Sequence, residues 1–278
     1  MLSGANDRNK NSLLLMGIVN VTDDSFSGGG FLSSDCAVNH SLQLLADGAD
    51  ILDIGAESTR PGALEVPAEE EIKRLTPVVT SLLEKYPDTV ISIDTRHSQT
   101  AEKMLELGAK IINDVSGLKF DSRMTDILKK YPESKLVLCH SRGEPDNMML
   151  KEHCSYGSDV VETICRELLD AAENSGLSRE RIIFDPGFGF AKTPEQQLNM
   201  LQRSKVFVER LGQVLFGISR KSFLGKITGE DNPVRRSGST LAGELHLVSC
   251  GATILRTHDV KQLHDALIVL KTIREDSK

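Results

Sequence analysis

Leu13–Gly30 reads "LLLMGIVNVTDDSFSGGG". The apolar run Leu13–Val19 ends on Asn20. A polar loop follows, carrying Thr22, Asp23, Asp24, Ser25 and Ser27, three glycines and one aromatic, Phe26. A buried strand accounts for the run, but a simple turn needs only a few residues. A loop this long and this rich in side-chain chemistry is a candidate functional loop. Short apolar runs recur at Ile51–Ile54, Val90–Ile93, Lys110–Asn113, Lys135–Cys139, Arg181–Phe184, Val214–Ile218 and Ala252–Leu255, the first run extending over Leu13–Val21. Helical patterns lie between them. "CAVNHSLQLLADGAD" puts Ala37, Leu44 and Leu45 on one stripe and stops at Gly48. "PAEEEIKRLTPVVTSLLEKY" opens on Pro67 and acidic residues, as helix N-termini prefer. "SQTAEKMLELGAK" and "SDVVETICRELLDAAENSG" stop at Gly108 and Gly176, and "VKQLHDALIVLKTIRE" closes the chain. Strand then helix, repeated, predicts parallel strands with crossover helices.

Eight such units in about 250 residues predict an α/β protein, a (β/α)₈ TIM barrel of one domain spanning residues 13–278. A doubly wound open sheet is the competing architecture, but "NVTDDSFSGGG" lacks the G-x-G-x-x-G turn of such folds. The seventh unit is the weakest, because Phe223–Arg236 after "GISRKS" reads as polar and irregular. Residues 1–12 are polar and predict a flexible N-terminal segment.

The chain has 278 residues, net charge −7, 39% hydrophobic content and no Trp. A broad basic face and an aromatic stacking platform for nucleic acid are therefore not expected. The five cysteines, Cys36, Cys139, Cys154, Cys165 and Cys250, contain no C-x-x-C pair, so neither a disulfide framework nor a zinc ribbon is expected. Reduced thiols and a cytoplasmic location are. No apolar stretch approaches a membrane span, and Asn20 follows the Leu13–Val19 run where a signal peptide would place a small-residue cleavage site.

Each apolar run ends in a group able to bind or react: Asn20, Asp53, Asp94, Asn113 with Asp114, His140, Asp185, Arg220 with Lys221, and Arg256 with His258. Strand C-termini ring one mouth of a barrel, so these groups should converge there. Carboxylates and amides at Asp94, Asn113 and Asp185 suit a neutral heterocycle with N–H donors, since a carboxylate pairs bidentately with an amino-pyrimidine edge as it does with guanidinium. Arg60, Lys221, Arg256 and His258 suit an anionic group, and Cys139, Phe188 and Phe190 can supply apolar walls.

In order along the chain, "GIVNVTDDSFSGGG", "DIGAESTRPGA", "SIDTR", "INDVSG", "DPGFGFAKT", "GISRKSFLG" and "LRTHDV" resemble the motifs of the dihydropteroate synthase family, from Gly17 to His258. The resemblance implies condensation of 6-hydroxymethyl-7,8-dihydropterin pyrophosphate with para-aminobenzoate, by dissociative loss of pyrophosphate, in folate biosynthesis. It further implies a magnesium ion, a homodimer and inhibition by sulfonamides. Carried over residue by residue, Asp94, Asn113, Val115, Cys139, Asp185, Phe190, Gly217, Lys221 and Arg256 would surround the pterin. Asp185 and Asn113 would read the amino-pyrimidine edge, and Lys221 the ring carbonyl and a ring nitrogen. Asn20, Arg60, Arg256 and His258 would hold the pyrophosphate, with Asn20 also a magnesium ligand. Phe26, Thr59, Arg60, Pro61, Phe190 and Ser222 would hold the aminobenzoate. Asp94, Lys221, Arg256, His258 and Asn20 would carry the catalysis, Asp94 by stabilising a cation on the pterin.

The chain departs from the commonest family pattern at several positions. Cys139 and Ser141 stand where methionine is frequent, Ala56 where Gly is, Gln197 where Asn is, Thr257 where Val is, and Glu244 and His246 where residues are small. Two rival readings share the barrel: a pterin-dependent methyltransferase and a non-catalytic pterin-binding paralogue. Arg60, Lys221 and His258 favour the synthase, as does the presence of Asn20, Arg60 and Phe26 together.

Overall fold

A computed structural model describes residues 13–21, 34–57, 65–143 and 147–275. Eight parallel strands alternate with helices along the chain. They are β1 (Leu14–Asn20), β2 (Ile51–Gly55), β3 (Val90–Asp94), β4 (Ile111–Asp114), β5 (Lys135–Cys139), β6 (Ile182–Asp185), β7 (Leu215–Phe216) and β8 (Ile254–Thr257). Helices α1 (Ser34–Ala46), α2 (Ala68–Lys85), α3 (Ser98–Leu107), α4 (Met124–Lys130) and α5 (Val160–Ser175) follow the first five strands in turn. Then come α6 (Pro194–Gln202), α7 (Ser204–Leu211), α8 (Ser222–Thr228), α9 (Ser237–Ser249) and α10 (Val260–Glu275). The strand order β6-β5-β4-β3-β2-β1-β8-β7 is cyclic. A bridge between Phe184 and Val214, with the Phe184 N–H donating to Gln213 O at 2.9 Å, closes β6 on β7. The sheet is therefore a barrel and not the open doubly wound alternative.

Two departures from the sequence reading fall in the seventh unit. Five residues read as its strand, but only Leu215 and Phe216 form the ladder with β8, with Val214 bridging to β6. The chain leaves the sheet early because it turns at Arg220, whose φ is +58°. The stretch read as irregular holds α8, and a 3₁₀ turn at Pro233–Arg236 leads into α9.

The strand period of two sorts side chains between the barrel interior and the surrounding helices. Inside, Met16, Ile51, Ile111, Val137, Ile183, Leu215 and Ile254 form one buried apolar layer, with Leu14 and Val90 against it. Outside, a much larger cluster joins the other strand faces to the helices, including Leu52, Ile54, Ile93, Leu138 and Phe184. Two residues beyond the inner layer, the interior changes character: Ile51 leads to Asp53, Ile111 to Asn113, Val137 to Cys139, Ile183 to Asp185 and Ile254 to Arg256. One more step brings Asn20 and Asp94. The apolar layer is a floor, and the polar residues stand on it at the C-terminal mouth.

Candidate active site

Asp53 organises the mouth. Its carboxylate has no exposed surface. It accepts hydrogen bonds from the Ser92 hydroxyl at 2.7 Å, from Asn113 Nδ2 at 3.1 Å and from Arg256 Nε at 2.6 Å. The other edge of the Arg256 guanidinium donates from Nη2 to Asp94 at 2.9 Å. One planar cation thus bridges two buried carboxylates, a role suited to the fork of arginine. Burial opposes the charge on Arg256, but Asp53 and Asp94 outweigh it and hold the guanidinium protonated. Burial, and then repulsion from Asp53, raise the Asp94 carboxyl, against the pull of Arg256.

The bond to Asp53 fixes the Asn113 amide, because a carboxylate accepts and only Nδ2 can donate. Asn113 Oδ1 is left buried with no hydrogen-bond partner. An orphaned buried acceptor costs about 1–3 kcal/mol and calls for a donor from outside the protein. Asp185 ends β6, the second strand along, and its Oδ1 accepts the Gly187 N–H at 2.7 Å. Burial raises its carboxyl, while that bond and nearby Lys221 lower it. Lys221 follows the turn after β7 and lies 4.8 Å from the Phe190 ring centroid. It passes so close to Gly189, at φ +87°, that a Cβ there would sit 2.9 Å from its Nζ. Burial and Arg256 lower the Lys221 ammonium, and Asp185 raises it. Cys139, buried on β5, and Phe190 are side walls of the same mouth. Gly217 lies beside Arg256, where a Cβ would stand 3.8 Å from the Arg256 Cβ.

Other expected residues are arranged as follows. Asn20 is the last residue of β1 and half-buried. Val115 is half-buried just past β4, and Ser222 is the exposed first residue of α8. His258 follows β8, and its Nδ1 lies 3.0 Å from Ser219 Oγ. Phe26, Thr59, Arg60 and Pro61 lie outside the described residues, as do residues 1–12.

Three strand-end groups that the sequence places with the others do not line the mouth. Asp114 accepts from Ser116 N at 2.8 Å, Ser116 Oγ at 2.6 Å and Leu118 N at 3.0 Å. His140 meets Glu167 of α5 at 2.9 Å and Lys192 at 3.1 Å. Burial and the Lys192 charge push its imidazole down to about 3. Arg220 pairs with Asp259 at 2.6 Å. Strand alternation turns Asp114 and His140 one position away from the cavity, and the left-handed turn past β7 carries Arg220 to Asp259. Lys192 is itself fully buried and donates to Gly187 O at 3.0 Å, Phe190 O at 2.8 Å and His140 O at 3.2 Å. It clamps the turn that carries Asp185 and Phe190 to the end of β5. Sequence reasoning gave Lys192 no role, gave Asp53 none beyond ending a strand, and overlooked Ser219. For Asp53 the signal was its inward register two residues past Ile51.

Among the described residues, one group has metal-ligand chemistry at close range: Glu57, Glu71 and His97. It lies behind the mouth. Glu57 is paired to Arg96 at 2.8 Å, and Glu71 bonds Thr95 at 2.7 Å and His97 at 3.2 Å. No described helix is long and apolar enough to cross a membrane.

The comparisons with known proteins agree with this architecture. A family profile described as "Pterin binding enzyme" matches residues 16–258. A folic acid synthesis protein of Schizosaccharomyces pombe is 40% identical over 95% of the chain, which spans only 37% of that longer protein. A dihydropteroate synthase type-3 of Escherichia coli is 41% identical, with 93% of this chain and 98% of that protein aligned. A solved structure of Xanthomonas albilineans dihydropteroate synthase with 4-aminobenzoic acid superposes with a TM-score of 0.84 at 36% identity, covering 94% of this chain and 93% of that one. The chain belongs to the pterin-binding enzyme family, alongside the dihydropteroate synthases it resembles.

Proposed function

We propose that the chain is a dihydropteroate synthase, a transferase that joins 6-hydroxymethyl-7,8-dihydropterin pyrophosphate to para-aminobenzoate, giving 7,8-dihydropteroate and pyrophosphate. The observation that carries this reading is the orphaned Asn113 Oδ1 in the same mouth as the Asp185 carboxylate, two acceptors with the Lys221 ammonium close to Asp185. An amino-pyrimidine offers N–H donors to the first pair, and its ring carbonyl suits the lysine. Cys139, Val115, Gly217 and Phe190 would flank the ring, and Arg256 would lie along its face.

Inside the mouth three carboxylates, Asp53, Asp94 and Asp185, face two cations, Lys221 and Arg256. A carboxylate beside the bound ring favours a cation forming on it. In the proposed reaction the methylene C–O bond breaks, and its electron pair leaves with pyrophosphate. The aniline nitrogen then attacks the methylene carbon and loses a proton to solvent. Asp94 would stabilise the transient cation, while His258, Arg256 and Arg60 would hold the departing anion. Ser222 with Phe26, Thr59, Pro61 and Phe190 would hold the aminobenzoate.

Asn20 offers one neutral amide oxygen at the strand end. That donor set does not make a resident metal cage, but it fits a magnesium ion that takes most of its ligands from diphosphate oxygens and water. The ion would supply charge neutralisation on the leaving group. The Glu57, Glu71 and His97 group is a poor alternative, since Arg96 already balances Glu57. Free thiols at all five cysteines support a cytoplasmic location, and a homodimer belongs to the same reading.

The test is product formation from the pterin pyrophosphate, Mg²⁺ and para-aminobenzoate, with pyrophosphate release followed with and without the amine. The expected result is amine-dependent dihydropteroate, with sulfonamides competing against the aminobenzoate. Absence of an amine-dependent product removes the assignment. In the same assay Asp94→Asn should lower turnover by about 10²–10³ with the fold intact, the usual effect of losing one electrostatic partner of the transition state.

A further inference from the structure

Two turns at the mouth of the barrel are tied to each other. The first follows β7 and carries Ser219, Arg220 and Lys221 into α8; the second follows β8 and carries His258 and Asp259 into α10. Arg220 adopts a conformation that its side chain disfavours, a left-handed backbone with φ +58°. A residue strained in this way persists where its surroundings fix it. Here the backbone of Arg220 is held on both sides. Its N–H donates to Thr240 Oγ1 of α9 at 3.0 Å, and its carbonyl accepts Arg236 Nη1 at 2.9 Å. Arg236 is itself buried, and its other nitrogens donate to Glu230 O at 2.9 Å and Asp231 O at 2.6 Å. Gly225 leaves room for it, since a Cβ there would sit 2.5 Å from Arg236 Nε.

The side chain of Arg220 crosses to the second turn. Nη2 donates to Asp259 Oδ1 at 2.6 Å and Nε to Oδ2 at 3.3 Å, a two-pronged pair whose directions are fixed because a guanidinium only donates and a carboxylate only accepts. An Asp immediately ahead of a helix commonly accepts the first amides of that helix. Here both Asp259 oxygens accept from Arg220. A second tie runs beside the first, from the His258 backbone N–H to Ser219 Oγ at 3.2 Å. Arg220 precedes Lys221, and Asp259 follows His258, so the ion pair joins the immediate neighbours of two groups at the mouth. The two side chains are 27% and 24% exposed. A pair that open to solvent adds little stability, so its consequence lies in geometry.

We infer that Arg220 and Asp259 are positioning residues: their ion pair straps the β7–α8 turn to the β8–α10 turn and sets the spacing between Lys221 and His258. That this spacing serves catalysis rests on the function proposed above, in which Lys221 meets the pterin and His258 the departing diphosphate. The strap itself rests on the hydrogen bonds alone.

The experiment is amide hydrogen exchange of the ligand-free protein, with kinetics, on Arg220→Met, Asp259→Ala and the double variant. Arg220→Asn, which tolerates a left-handed backbone, replaces Arg220→Met should that variant not fold. Each single substitution should speed exchange in the turn it does not touch. Asp259→Ala should do so at the Lys221 amide, which donates to Ile218 O, and Arg220→Met at the His258 amide. Each should lower kcat about 10- to 100-fold, the effect of a small misplacement, at a temperature where circular dichroism shows the fold intact. The double variant should be no slower than the worse single one, because both remove the same strap. Unchanged exchange across the pair, kcat close to wild type in both single variants, or single effects that multiply in the double variant overturns the inference. A wild type without amine-dependent product removes the proposed function instead, and the exchange data still decide the strap.

Discussion

Two rings of polar residues circle the C-terminal end of this barrel, one residue apart in sequence and opposite in character. The inner ring holds Asp53, Asp94, Asn113, Asp185, Lys221 and Arg256. The outer ring holds Asp114, His140, Thr257 and Arg220, with Lys192, Glu167 and Glu244 behind them. In the outer ring the protein satisfies most of its own groups: Asp114 takes three donors from its own loop, and Lys192 finds three carbonyls and an imidazole. In the inner ring Asn113 Oδ1 lacks a partner, and among the described residues no side chain hydrogen-bonds Asp185. Both rings are expensive to bury. The outer ring spends that cost on shape, while the inner ring leaves polar capacity for a ligand.

Breaking the inner ring at its centre should have the largest effect. Asp53→Ala removes the acceptor shared by Ser92, Asn113 and Arg256, leaving a buried guanidinium with one partner and an amide free to turn. The expected loss is about 3–5 kcal/mol of stability, as for breaking a buried ion pair. Turnover should fall by at least about 10³, since Asn113 and Arg256 both lose their orientation. Denaturant unfolding and steady-state kinetics check the two halves. Loss of stability with normal kcat would show that Asp53 belongs with the outer ring.

The outer ring should answer in stability and its pH dependence. Burial pushes the Glu244 carboxyl up from the usual 4.5 of a free glutamate to about 8. Between those values the folded state holds a proton that the unfolded chain has released, so stability falls as pH rises through this window. Glu244→Gln removes the penalty. It should stabilise the protein by about 3 kcal/mol at pH 7 and by little near pH 4.5, with turnover close to wild type. A gain independent of pH would mean that Glu244 is ionised in the fold.

Sequence alone exposed the inner ring well, because its members sit at fixed offsets from apolar runs and strand alternation does the rest. Asn113 and Asp185 follow Ile111 and Ile183 by two positions, and the structure keeps that register. The same rule, applied without the period, also gathered Asp114 and His140, which face outward, and Arg220, which the turn past β7 carries to Asp259. The hub at Asp53 was not legible. Its partners lie 39, 60 and 203 residues away, and only barrel closure brings Arg256 to it. The burial of Glu244 on α9, where it is 2% exposed, was hidden for a related reason. An acidic residue on a helix reads as solvated until packing buries it. In the seventh unit, local polarity masked α8, whose burial depends on Phe223 and Leu224 entering a core formed by distant elements.

The most direct test of the contrast between the rings is calorimetric titration with a dihydropterin and with its analogue lacking the exocyclic amino group. If the inner ring keeps its acceptors for that edge, the analogue should bind about 10- to 200-fold more weakly, the cost of leaving one or more buried acceptors unpaired. Asn113→Leu should then lose most of that discrimination. Equal affinity for the two compounds would contradict the account, because it would mean that Asn113 and Asp185 do not read the ring edge.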